Sequence, residues 1–146
     1  MNSYLRPMKT TWLFLMVFPH LILSIVFAQS GIDKLMNWNS NLSWIRGHFA
    51  NSPLNRASKW LLILLTGLET LGGLLGLIGV GLALAFGFQG AAATALEFSL
   101  LILGLALTGL MIGQRMAKDY AGAANLVGYC LLLGMSFLFV TLVQDL

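Results

Sequence analysis

The sequence predicts an all-α fold, an integral membrane four-helix bundle with an amphipathic, interfacial segment between its first and second helices. Three observations predict it. First, 58% of the 146 residues are apolar and 9% are charged, with a mean hydropathy of +0.86. An ordinary soluble domain carries about 25% charged residues, and so few charges cannot clothe a water-facing surface, which makes the bilayer the solvent. Second, the apolar residues gather into four stretches, each near or above the ~20 residues that cross ~30 Å of hydrocarbon. Third, backbone groups find no water partners at that depth, which leaves helices as the way to satisfy them. Residues 1–146 read as one domain.

The first span covers residues 11–29, TWLFLMVFPHLILSIVFAQ. Its apolar stretch exceeds the ~7–15 residues of a signal-peptide core, so it reads as a retained helix. Pro19 removes the hydrogen bond to the Leu15 carbonyl and predicts a kink. His20 follows it at mid-span. The other histidine, His48, falls in the next loop, so two axial haem ligands are hard to assemble within the chain. His20 therefore reads as a hydrogen-bonded packing residue.

Residues 29–35, QSGIDKL, place an acid and a base side by side at the boundary of this span. Adjacent helical residues point to different faces, so Asp33 and Lys34 are not partners for each other. Beyond them, Leu35, Trp38, Leu42, Ile45 and Phe49 recur at helical spacing. They predict a short helix that either lies in the headgroup layer or packs as a lid on the bundle end. Asn51-Ser52-Pro53 then turns the chain.

The second span, residues 60–86, contains Glu69, about 15 Å from the start of the span at ~1.5 Å per residue. Gly72, Gly73 and Gly76 are its helical neighbours, and Gly79 continues the stripe. Small residues at these offsets admit another backbone, so Gly72, Gly76 and Gly79 are read as helix-packing positions and Glu69 as facing protein. A carboxylate there needs a partner. The candidates are Lys34 at the end of the first span and Arg115 at the end of the third, either reaching inward along its stem. Asp33 and Asp119 would balance the remaining cation at the rim. Lys34, Glu69, Arg115 and Asp119 are thus the expected buried polar cluster, either an architectural clamp or a proton or quinone-headgroup site.

The third span, residues 91–113, contains Glu97, within snorkelling reach of Arg6 or Lys9. The fourth, residues 121–143, contains Asn125 on a stripe with Ala121 and Gly128, a pattern that suits an interhelical hydrogen bond. It also contains Cys130, which reads as a small core residue. An even number of spans puts both termini on one side. Lys34, Arg46, Arg56, Lys59, Arg115 and Lys118 stand on the other side against Arg6 and Lys9, six against two. The positive-inside rule then gives non-cytoplasmic termini in a cell (inner) membrane.

Some chemistries are not encoded. No basic stripe with interleaved aromatics points to nucleic acid. A lone cysteine makes no internal disulfide, redox pair or thiolate cage. No phosphate loop, catalytic triad or metal-spaced cluster is present, so no catalytic or metal-binding residues are assigned and no cofactor is expected within the chain.

Two motifs, GIDKL closing the first span and ETLGGLLGLIG in the second, resemble the DoxX-like family of small four-span membrane proteins. That family shows a glycine, a lysine and an apolar residue in this order, and later an acidic residue followed by GG and a leucine-glycine run. The order and length of the spans agree, so the resemblance covers most of the chain. Residues 114–125, QRMAKDYAGAAN, look like a subgroup feature. The family is named for small subunits associated with thiosulfate and quinol oxidation. The resemblance implies a four-helix bundle and a link to membrane redox chemistry, and it carries no catalytic residue to transfer. The expected function is a non-catalytic accessory subunit of a membrane complex, with quinone at an interface and other membrane subunits as partners. The alternative is an interaction subunit of a non-redox assembly, such as a transport or secretion machine. A transporter ranks last, because no internal repeat appears and one proline interrupts a span.

Overall fold

A computed structural model describes residues 5–144, with side chains described at positions 14, 15 and 17–142. The described residues form helices α1 (Leu5–Met36), α2 (Trp38–His48), α3 (Ser58–Phe86), α4 (Ala91–Met116) and α5 (Tyr120–Gln144), with a 3-10 turn at Asn55–Ala57 before α3. No strand occurs among them. Three of the helical stretches, Asn55–Phe86, Ala91–Met116 and Tyr120–Leu142, are long and apolar enough to cross a membrane. Large apolar side chains face outward along them, among them Leu64, Leu71, Ile78, Leu101, Leu105 and Leu131. Such an envelope suits lipid and not water.

The helix boundaries follow local chemistry. α1 runs through Pro19 and across QSGIDKL to Met36. Asn37, at φ −111° and ψ 40°, breaks the helical path before α2. At the end of α3, Gly87 takes φ 84° and its N–H donates to the Ala83 carbonyl at 2.9 Å. α4 ends in a Schellman turn: Lys118 N–H donates to Arg115 O at 3.2 Å and Asp119 N–H to Gln114 O at 2.9 Å. Lys118 sits at φ 61°, a left-handed position that costs a side-chain-bearing residue about 1–2 kcal/mol. Asp119 then caps α5, its Oδ1 accepting from Gly122 N–H at 2.8 Å.

α3 is the central element. It packs on α1 along one side and on α4 along the other, and α5 closes against α4 and α1. The glycine stripe divides between these two neighbours. A Cβ on Gly73 would stand 2.7 Å from Ala28 Cα of α1, whereas one on Gly72 would stand 2.7 Å from Leu103 Cδ2 of α4. Gly79 faces Leu96 of α4, and Gly76 lies between Ser24 of α1 and Ser99 of α4. Between lipid-facing helices no hydrophobic drive remains, so backbone approach and hydrogen bonds must supply the association. One apolar cluster gathers Val17, Val80, Leu96, Leu100 and Val140. A second gathers Leu23, Phe27, Leu103, Ala106 and Leu107.

The amphipathic face of α2 lies on the bundle. Ile45 and Phe49 are buried with Leu62 of α3, and half-buried Trp38 and Leu42 pack around them. Of the expected face, Leu35 instead points outward. Of the three helices long and apolar enough to cross a membrane, α5 is the least enclosed, and Cys130 and Asn125 are exposed on it. The core position expected for Cys130 is therefore corrected. α5 presents one narrow side to its neighbours, and Cys130 lies off that side.

Candidate functional site

The site begins where α1 and α3 touch. Gly31 has no Cβ, and one added there would stand 2.6 Å from the Thr70 nitrogen, inside any allowed contact. This approach holds the last turns of α1 against α3. Glu69, Gly73 and Gly76 share a helical face spaced by four and three residues, and the last two meet α1. Glu69 therefore looks toward α1. Lys34 Nζ reaches it and pairs with Oε2 at 2.6 Å, with the Glu69 side chain 2% exposed and the Lys34 side chain 16%. One turn earlier on α1, Ser30 steadies the ammonium, its Oγ 2.6 Å and its carbonyl 3.4 Å from Nζ.

The other members of the expected cluster stand apart. Arg115 is exposed, and its guanidinium lies 4.8 Å from the centre of the Tyr120 ring, a cation–π contact. It projects from α4, whereas Glu69 occupies the α1 side of α3. Asp119 is occupied as the α5 cap. Among the described residues no cation pairs with Asp33; its oxygens accept from Asn37 Nδ2 at 2.8 Å and Asn41 Nδ2 at 3.4 Å, tying α1 to α2. Asn125 makes no hydrogen bond among the described residues, so the interhelical bond expected of it is corrected. Its stripe with Ala121 and Gly128 is exposed. Glu97 is half-buried on α4 beside a cavity of about 650 Å³ between α4 and α5. Arg6 and Lys9, the cations expected to meet it, lie outside the described side chains.

His20 closes a second polar contact below the pair. Ser99 Oγ donates to the Gly72 carbonyl at 2.8 Å. Having spent its proton, that hydroxyl accepts from His20 Nε2 at 3.1 Å, which fixes the imidazole tautomer. Ser24 Oγ donates to His20 O at 2.7 Å. The glycine at 76 leaves room for both serines, since a Cβ there would collide with Ser24 Oγ and stand 2.6 Å from Ser99 Oγ. The two serines were visible in the sequence only as isolated hydroxyls within apolar runs.

The ion pair forms part of the wall of a cavity of about 970 Å³ beneath α2. Its deeper wall includes Phe27, Leu65, Leu68, Leu126 and Tyr129, and its upper wall Ser30, Asn37, Asn41, His48 and Gln114. Phe27 meets Tyr129 edge-on at 6.2 Å between ring centres. α2 roofs the cavity and is tied to α4 by His48 Nε2 and Gln114 Oε1, 2.9 Å apart. Phe49 supports the tie from beside Gly113, and Trp44 stacks on His48 at 4.7 Å. Ligand cavities commonly span about 300–1,000 Å³, with apolar walls and a few convergent polar groups. Sequence reasoning missed this cavity and the His48–Gln114 tie, because both depend on where α2 folds back. Among the described residues, no group of three His, Cys, Asp or Glu side chains could hold a metal ion. No protein-family model, curated protein or solved structure matches the chain.

Proposed function

We propose that the chain is a four-span, DoxX-like accessory subunit of a membrane complex, which receives the head of a quinone-class carrier in the cavity beneath α2. The observation that carries the reading is the Lys34–Glu69 pair at 2.6 Å in the wall of that cavity. A buried charge pair in a membrane helix bundle is a functional site by default, and here it borders open space with aromatic walls. Phe27, Tyr129 and Trp44 suit a planar ring, and the leucines beside them suit an apolar tail. α1 is the fourth span in this reading, supported by the apolar run at residues 11–29 and by its packing along α3 and α5.

The chain works with partners. Asn125 and Gly128 lie exposed on α5, and an amide facing acyl chains is unfavourable, so a neighbouring subunit covers that side. With Lys34 paired, Arg46, Arg56, Lys59, Arg115 and Lys118 still outweigh Arg6 and Lys9, which favours non-cytoplasmic termini in a cell membrane. The same α5 face supports the second reading, an interaction subunit of a non-redox assembly.

Purification in mild detergent separates the two readings. The first expects co-purified chains that carry haem or flavin, together with extractable quinone. Partners without an electron carrier favour the second. A protein that runs alone and empty contradicts both.

A further inference from the structure

We infer that one enclosed water molecule sits between α1 and α5, accepting a hydrogen bond from Ser136 Oγ and donating one to His20 Nδ1. A single polar chain then joins α5, α1, α4 and α3. Neither His20 nor Ser136 lines the cavity beneath α2, so the site is independent of the function proposed for that cavity.

Both side chains are wholly buried, at 0% exposure, and each keeps one polar atom unspent. His20 Nε2 donates to Ser99 Oγ at 3.1 Å, because the Ser99 hydroxyl gives its own proton to the Gly72 carbonyl at 2.8 Å. A neutral imidazole that donates from Nε2 carries a bare lone pair at Nδ1. That nitrogen is enclosed and has no partner among the described residues, and the same holds for Ser136 Oγ. One is an acceptor and the other carries a proton to give. Unpaired polar atoms at this depth are costly, so both require a partner. The third enclosed, unpartnered atom, Thr70 Oγ1, stands beside Gly31. It lies about 16 Å further along α1 at ~1.5 Å per residue.

The packing of α1 on α5 sets the two atoms opposite each other. Phe27 of α1 meets Tyr129 of α5 edge-on, and Val17 and Val140 share one apolar cluster. From the first contact to the second, α1 runs back along its sequence while α5 runs forward, so the two helices are antiparallel. Seven residues, two helical turns, return to the same face. Seven back from Phe27 is His20, and seven on from Tyr129 is Ser136. The groove on the outer side of α4 and α5 is lined by Leu133, Gly134, Phe137 and Val140 and not by Ser136. The Ser136 hydroxyl therefore looks into the bundle, toward the level of His20.

Enclosure also sets the class of ligand. The two atoms are not bonded to each other, and neither is open to a molecule arriving from outside. The group that joins them is the smallest polar molecule, and water both accepts from a hydroxyl and donates to a ring nitrogen. A metal ion does not suit one neutral nitrogen and one hydroxyl, and no three-residue His, Cys, Asp or Glu group stands among the described residues. The water supplies α5 with a polar tie to α1, whereas Thr141 spends its hydroxyl on carbonyls of its own helix.

Nuclear magnetic resonance of the full chain in detergent, with histidine ring nitrogens labelled with nitrogen-15, tests this. The chain contains two histidines, and a His48→Gln variant tells their signals apart. The expected His20 has a protonated Nε2 and a bare Nδ1, whose resonance is displaced from that of a free ring nitrogen by an accepted hydrogen bond. A water cross-peak should reach both the His20 ring and the Ser136 side chain. Ser136→Ala should move the Nδ1 resonance toward the free position and weaken the water cross-peak, and Thr141→Ala should change neither. A proton on Nδ1, or an Nδ1 resonance unchanged in folded Ser136→Ala, overturns the inference. A hydrogen-bonded Nδ1 without a water cross-peak also overturns it, since Ser136 would then bond the ring directly. If Ser136→Ala does not fold, the native chain decides: water seen from both side chains supports the site, and water missing from either overturns it.

Discussion

At the scale of single residues, Glu69 tolerates burial because its charge is answered locally. Its carboxylate is held by one ammonium, and that ammonium by one serine. Glu69→Gln keeps an oxygen for Lys34 and removes the charge, so a modest loss of stability is expected. Glu69→Leu leaves the cation uncompensated and should cost about 3–5 kcal/mol. Thermal or denaturant unfolding in detergent measures the difference, and equal losses would contradict a hydrogen-bonded clamp. The buried acid was legible in the sequence because a carboxylate stands out within an apolar run. The choice between Lys34 and Arg115 was not. It depends on which side of α3 Glu69 occupies, and that follows from the Gly31–Thr70 and Gly73–Ala28 approaches. From sequence alone Asp119 and Asp33 read as counter-charges, because sequence distance from a cation is the available guide. Their oxygens are instead spent on a helix N-terminus and on two asparagine amides.

At the scale of elements, glycine carries most of the information about packing. Every face of a membrane helix is apolar, so hydrophobic periodicity does not say which side is inside. Absent side chains do. The stripe at Gly72, Gly76 and Gly79 marked α3 as a helix in close contact, but one stripe could not announce two different neighbours. The two neighbours become distinct only when α1 and α4 are in place. Gly76→Leu should abolish native assembly, because even a Cβ there meets Ser24 and Ser99. Gly67, on the same helix, has nothing within 4 Å of an added Cβ. Gly67→Ala should therefore raise stability by up to about 1 kcal/mol through helix propensity. Unfolding midpoints of the two variants check this pair of expectations, and similar effects at both positions would contradict the packing described. The rule that polar and small residues lie inside fails on α5. Asn125 and Gly128 mark a helix face that no other part of the described chain covers.

For the molecule as a whole, composition alone was enough to name the solvent. An exterior of leucine, isoleucine and phenylalanine confirms the helical, apolar character that suits lipid. What composition could not carry was the folding back of α2. Its amphipathic face fitted an interfacial helix and a lid equally well, because both bury the same residues. The structure seats Ile45 and Phe49 on Leu62 of α3, which encloses the cavity and brings the Lys34–Glu69 pair to its wall. Charge, packing and open space thus meet at one end of the molecule. These two charges stabilise the fold through each other. The most direct measurement is a double-mutant cycle on unfolding in lipid or detergent, with Lys34→Met, Glu69→Leu and the two combined. Each single change should cost about 3 kcal/mol or more, and the double variant should recover most of the loss, since a buried pair replaced whole is close to neutral. Losses that simply add would contradict it.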